Sequence, residues 1–181
     1  MLKSHKRQAV TAFDIDHDVL RVGVLRRTPN GLEARFSQAQ IPEGVMDREA
    51  IQPESEAEIT RLLADLFRAL DAPTNAVLTA SPDRYTTLKR ESFPPIKGKA
   101  LTAAIKQRAI QVTPFQAHEI SVGFAPVPGK GKDVHGILAA LPINILDTLG
   151  AVVKAAGGTL TRAEPSVFTL ANLLLARAHA D

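Results

Sequence analysis

Residues 93–124 read FPPIKGKALTAAIKQRAIQVTPFQAHEISVGF, and this stretch decides how the rest of the chain is parsed. Leu101, Ile105, Ala109 and Val112 recur at helical spacing and predict one buried face of an amphipathic helix, Lys99–Val112. Pro114 cannot continue that helix and biases Thr113 away from the α region. Ile120, Val122 and Phe124 then alternate with Ser121 and Gly123, the pattern of a half-buried strand, Glu119–Val127. The stretch therefore reads as strand end, turn, helix, helix stop and new strand.

The same residues carry a family likeness. Phe93-Pro94, Leu101, Ala104-Ile105, Pro114-Phe115 and Gly123-Phe124 fall, without a gap, where a Leu-Pro, a helix with Glu-Leu and Ala-Ile, a Pro-Phe and a strand ending Asp-Tyr fall in another group of proteins. In this the chain resembles the cytoplasmic PilM family of type IV pilus assembly, and more loosely the division protein FtsA. It departs from the pattern at Gln107 and Arg108, where an aromatic residue and a glutamate are usual.

Composition bounds the reading. The 181 residues are 45% hydrophobic, enough for a real core and too many for a disordered chain. Aromatics are only 4%, so the core must come mainly from Leu, Ile, Val and Ala. With no Cys, disulfides, thiolate metal sites and catalytic thiols are excluded. The opening MLKSHKRQAV is a basic tail over residues 1–8 without the apolar core of a signal peptide. No apolar run approaches the roughly 20 residues of a membrane span. These features predict a soluble, cytoplasmic protein. The net charge is +3 but unevenly placed. Lys89, Arg90, Lys97, Lys99, Lys106, Arg108, Lys130 and Lys132 crowd the middle of the chain against Glu91 and Glu119, while acids dominate from Glu43 to Asp71. Such a face suits anionic lipid or an acidic partner, or is simply a solvated surface.

Along the chain, Ala9–Asp14 and Val19–Leu25 read as strands, the second apolar on both sides and so expected to be covered on both. Pro29-Asn30-Gly31 is a hairpin turn leading to a return strand, Leu32–Ile41. Pro42–Pro53 reads as a polar loop. Ser55 and Glu58 predict a capping box for a helix that buries Ile59, Leu62, Leu63, Leu66 and Leu70 and ends near Asp71. Ala76–Ala80 is a strand reached by crossover and parallel to the first. Tyr85–Ser92 is the next strand. Beyond the deciding stretch, a hairpin tip at Gly129-Lys130-Gly131-Lys132 leads to Val134–Leu141. Pro142 opens a helix with Ile143, Leu146, Leu149 and Val153 inward, and Gly157-Gly158 ends it. Leu160–Glu164 is a last strand, and Pro165 starts a final helix with Val167, Leu170, Leu174 and Ala178.

Interleaved strands and helices give an α/β class with mixed sheets. The resemblance implies more: the N-terminal half of an actin-like, ribonuclease H-like fold. One subdomain would be residues 9–80 with 158–181, and an inserted smaller βαββα subdomain would be residues 81–157.

The sharpest chemical candidate is the turn Asp14-Ile15-Asp16-His17-Asp18. Actin-like ATPases carry Asp-x-Gly and small hydroxyl residues here, and backbone amides cradle phosphates. In this chain the glycine position holds Asp16, followed by His17 and Asp18. A carboxylate about 4 Å from a phosphate charge repels it by about 4 kcal/mol at an effective dielectric near 20. The phosphate turn therefore reads as degenerate, and no cofactor is expected. The second phosphate hairpin of that fold belongs to a half beyond Asp181, so an ATP-binding reading requires a second half from elsewhere. Asp14, Asp16, His17 and Asp18 as metal ligands lack the Gly and distal Glu of a calcium loop, so no metal is expected; an acidic turn with Asx-type hydrogen bonds is the alternative. The Gly129–Lys132 tip lacks the upstream Gly and the following Ser/Thr of a phosphate-binding loop. No nucleophile–base constellation is present, and no catalytic residue is assigned. The basic middle lacks the interleaved aromatics of single-strand binders, so a nucleic-acid-binding module ranks behind both other readings.

The function implied by the resemblance is a non-catalytic scaffold of a type IV pilus, competence or type II secretion-like platform. Its partner would be the cytoplasmic tail of a PilN-like bitopic inner-membrane protein, which would also supply its only contact with the membrane. Phe93, Ile105, Arg108, Val112 and Phe115 are the partner-binding candidates, and core packing is the competing role for each. Self-association is a second expectation about partners.

Overall fold

A computed structural model describes residues 9–47, 50–81, 83–128, 131–166 and 168. The basic tail, Lys130 and the core positions proposed for the final helix lie outside the described residues. The chain divides into two compact units. One holds the described residues up to Ala80 and those from Thr148 onward, and the other is Ser81–Asp147. The return to the first unit thus comes inside a helix, at Thr148, ahead of the Gly157-Gly158 stop.

The first unit is built on a five-stranded mixed sheet. Strands β1 (Ala9–Ile15), β2 (Val19–Thr28) and β3 (Gly31–Gln40) form the antiparallel meander read from the sequence. The two-residue connection at Pro29-Asn30 pairs Thr28 with Gly31, whose φ of 127° only glycine adopts freely. After two short paired segments, β4 (Met46–Asp47) and β5 (Ala50–Ile51), comes helix α1 (Glu56–Ala69). Strand β6 (Val77–Ser81) then returns parallel to β1, and β10 (Leu160–Pro165) completes the sheet in the order β10-β6-β1-β2-β3. Helix α1 packs over β2 and β3. Its Ile59, Leu62, Leu63 and Leu66 are buried, as is Leu70 just beyond its end; Leu20, Val22 and Val24 are buried on β2. Thr11 is fully buried, and its hydroxyl donates to the Pro73 carbonyl at 2.7 Å, which satisfies the one polar group that β1 places in this core.

Several local expectations fail for physical reasons. The loop 42–53 is not uniformly polar, because Val45 and Met46 are buried and β4 pairs with β5. The capping box does not form: Ser55 is already in the helical region, with ψ 0°, and makes no side-chain cap. Its amide donates to the Gln52 carbonyl at 2.9 Å, and the Glu58 carboxylate pairs with Arg61 at 2.6 Å, which also reaches Asp65. Helix α1 stops through Asp71, held at φ 48°, with the amides of Asp71 and Ala72 donating to Arg68 and Phe67 carbonyls. The second face of β2 is covered only at its start: Val19 is buried, while Arg21 is exposed and Leu25 is 45% exposed. Pro165 is the last residue of β10, and helix begins at the next residue, Ser166, one position from where it was expected.

The second unit carries β7 (Thr87–Phe93), α2 (Gly98–Val112), β8 (Ile120–Pro126) and β9 (Val134–Pro142), and the chain then enters α3 (Ile143–Ala155). Its sheet is antiparallel in the order β7-β9-β8. Ala109, Ile120, Leu138 and Ala140 form its buried core. The predicted face of α2 is covered less completely than its spacing suggests. Ala109 alone is buried, and Leu101, Ile105 and Val112 are half-buried, because a single three-stranded sheet shields only the central line of the helix. On α3, Leu149, Val152 and Val153 are buried while Ile143, expected inward, is 41% exposed.

Candidate functional site

The turn between β1 and β2 is tied up within itself. Asp14 is the cross-strand partner of Arg21, whose Nη1 lies 3.3 Å from Asp14 Oδ2 and 3.7 Å from Asp16 Oδ2. The Asp16 amide donates to the Val19 carbonyl at 2.9 Å, and the His17 amide donates to Asp16 Oδ1 at 2.8 Å. That last bond goes to the next residue rather than two residues on, so it is not the Asx-type bond expected. Two amides that a phosphate cradle would turn toward its ligand are therefore committed inside the hairpin. The Asp18 carbonyl accepts the Ile41 amide at 2.8 Å. The carboxylates and Arg21 are about half exposed, so their pairing contributes under about 1 kcal/mol and serves chiefly to neutralise charge. Among the described residues, no three Asp, Glu or His side chains are arranged to hold a metal ion.

The second unit presents a different kind of site. Helix α2 starts at Gly98 with φ 58°, and Thr102 returns its hydroxyl to the Gly98 carbonyl at 3.2 Å. At the other end, Thr113 is extended, as a residue before proline must be, and its hydroxyl donates to the Ala109 carbonyl at 2.9 Å. Thus fixed at both ends, α2 presents Leu101, Thr102, Ile105 and Lys106 to a groove of about 400 Å³. Val122, Phe124 and Pro126 of β8 and Val134 of β9 complete its lining. The lining is apolar apart from Thr102 and Lys106, both of which are exposed. This combination of size and lining falls within the range of small-molecule and peptide side-chain pockets.

Phe124 is the wall that needs support, and two residues provide it. The Phe93 ring meets it edge-on, with centroids 5.5 Å apart and planes at 76°, a favourable aromatic geometry. On β9, Gly136 leaves open the space over which the Phe124 ring lies.

The sequence-derived candidates are thus distributed. Ile105 lines the groove, and Phe93 supports its wall. Val112 and Phe115 pack half-buried around the Ala109–Leu138 core. Arg108 turns to β7, where its Nε lies 2.9 Å from Glu91 Oε1, and its Nη1 donates to Gln111. Leu101, Thr102, Lys106, Val122, Phe124, Pro126 and Val134 were not singled out as site residues. The available signal was the pair of apolar faces, Leu101/Ile105 at helical spacing and Val122/Phe124 at strand spacing, taken together.

The architecture is α/β with mixed sheets, a unit built on a five-stranded sheet into which a unit with a three-stranded antiparallel sheet is inserted. Among solved structures, it is similar to a chain of the PilM-PilN type IV pilus biogenesis complex, with a TM-score of 0.80 and 18% identity over 93% of this chain and 50% of that one. It is also similar, with a TM-score of 0.56 and 12% identity, to the cytoplasmic domain of EpsL, an inner membrane component of the type II secretion system of Vibrio cholerae. That likeness covers 88% of this chain and 58% of the other. The chain therefore spans about half the length of the solved chains it resembles. No protein-family model matches it, and no curated protein matches it in sequence. Among the described residues, no helix is long and apolar enough to cross a membrane.

Proposed function

We propose that the chain is a non-catalytic scaffold of a pilus or type II secretion-like inner-membrane platform, located in the cytoplasm and peripheral to that membrane. It would bind a short, partly apolar cytoplasmic tail from a single-span membrane protein of the PilN type. The observation that carries this reading is the likeness in fold over 93% of the chain to a member of the PilM-PilN complex. The groove between α2 and β8 supports it, since Leu101, Ile105 and Phe124 offer apolar contacts and Lys106 a cation at an exposed position. The commitment of the Asp16 and His17 amides, with Arg21 beside both carboxylates, supports the non-catalytic part of the reading.

The test is a fluorescence titration of the purified chain with the cytoplasmic tail peptide of a single-span membrane protein of the PilN type. Micromolar affinity, about −8 kcal/mol, is expected. Binding should weaken only modestly between low and physiological salt, because exposed charges are screened beyond about 8 Å while apolar contacts are not. Ile105→Asp should abolish it. No binding at either salt concentration would sink the reading, and binding at low salt alone would shift it from the groove to the exposed lysines. Calorimetry with magnesium-ATP should show no binding tighter than about millimolar, or −4 kcal/mol. Micromolar binding would restore the nucleotide reading.

A further inference from the structure

Strand β3 ends the five-stranded sheet, and among the described residues no strand pairs with its outer side. It pairs residue by residue with β2 from Gly31 to Gln40 without a bulge, and it contains neither Pro nor Lys. Of the devices that protect an edge strand from pairing, Pro, Lys and a bulge are absent from β3, and its charges are one Glu33 and one Arg35 of opposite sign. The described residues include four exposed large apolar side chains, and three of them, Leu25, Leu32 and Phe36, sit on one outward face of β2 and β3. Leu32 is 65% exposed and Phe36 79%. They are concentrated rather than scattered, which marks an interaction surface. Phe36 lies across Gly23, its cross-strand partner, where an added Cβ would stand 2.9 Å from the ring.

The sequence of this edge, Gly31-Leu-Glu-Ala-Arg-Phe-Ser37, is complementary to itself. When two copies are laid antiparallel about Ala34, Leu32 falls opposite Phe36 of the other copy and Glu33 opposite Arg35. Alternation puts the two apolar pairs on the outward face and the two charge pairs on the α1 face. Arg35 spends one Nη1 contact, at 3.3 Å, on the Leu70 carbonyl and keeps further donors for a carboxylate.

We propose that β3 pairs antiparallel with β3 of a second copy about a two-fold axis at Ala34, joining two five-stranded sheets into one. Both members use the same patch, as two-fold symmetry demands. The inference is independent of which tail, if any, the second unit binds.

Sedimentation over a concentration series of the full chain should show a reversible monomer–dimer equilibrium. Glu33→Arg sets cations against each other twice per dimer, and Arg35→Glu sets carboxylates against each other twice. Each should weaken the dimer by about tenfold. An equimolar mixture of the two variants should dimerise again, as should the double variant, because both restore opposite charges in that register. Circular dichroism of each variant reports its folding. A wild-type chain that stays monomeric to about 100 μM overturns the proposal, as does a dimer indifferent to the charge reversals.

Discussion

The Phe124 ring lies directly over Gly136, so close that a Cβ added to Gly136 would stand 2.2 Å from Cζ and 2.6 Å from the Ala125 carbonyl oxygen. The ring can tilt, but the carbonyl belongs to the β8–β9 ladder and cannot move without disturbing it. Gly136→Ala should therefore cost about 1–3 kcal/mol by overpacking and displace Phe124 from the groove wall. Urea unfolding gives the first effect. A shift in the Phe124 ring resonances by NMR gives the second. An unchanged midpoint would mean the strands part more easily than their pairing implies.

The second unit should show a steep gradient of mutational cost. Leu138 is fully buried, and Leu138→Ala should cost about 2–5 kcal/mol. Ile105 is half-buried along the groove, and Ile105→Ala should cost about 1–2 kcal/mol, since less area returns to water. Equal denaturant midpoints for the two variants would place Ile105 in the core rather than on a binding surface.

Asp71 closes helix α1 in the left-handed region, where glycine sits without strain. Its side chain is 93% exposed, so the ion pair with Arg26 contributes little, and the backbone carbonyl that also accepts from Arg26 survives substitution. Asp71→Gly should raise stability by about 0.5–1 kcal/mol. Thermal unfolding checks this, and a lower melting temperature would show that the carboxylate matters more than the backbone.

Hydrogen bonds from Arg61 hold the Glu58 carboxyl below the ordinary glutamate range; desolvation opposes them, and the charge attraction of Arg61 adds a lesser downward pull. A depressed folded-state value means that this pair stabilises the fold above the unfolded value of about 4.3 and that the contribution disappears as pH falls through the lower folded value. Glu58→Gln should therefore be less stable than wild type near neutrality and match it in acid. NMR titration of the carboxyl gives the direct reading, and a midpoint at or above that of a free glutamate would refute the assignment.

Long, regular patterns were legible in the sequence because one physical constraint dominates each of them. The α1 face appears at Ile59, Leu62, Leu63, Leu66 and Leu70 because a helix buried on one side leaves no other spacing. Pro29-Asn30-Gly31 and Pro114 act through backbone sterics alone, and both turn the chain where expected. Where two local interactions compete, pattern does not choose between them. Glu58 could cap the helix or pair with Arg61, and distance decided for Arg61. β4 and β5 are two residues each, too short for any periodicity to show. The groove was illegible as a site because it arises where two apolar faces, each readable alone, meet across residues distant in the chain. On β3 the alternation is plain, but nothing local says that Leu32 and Phe36 face outward.

β6 and β10 lie side by side in one sheet, yet residues 82–159, with the whole of α3 among them, separate them along the chain. The β1–β2–β3 meander closes through contacts between near neighbours, so it can set early. The β10 strand must wait for a long loop to close before its own contacts, such as the Thr161 hydroxyl on the Val77 carbonyl, can form. Closure entropy grows only logarithmically, by about 0.6 kcal/mol for each doubling of loop length. The sheet is therefore expected to form from the β3 side toward β10, and the inserted unit can grow or shrink between them with little thermodynamic penalty to the sheet that carries it.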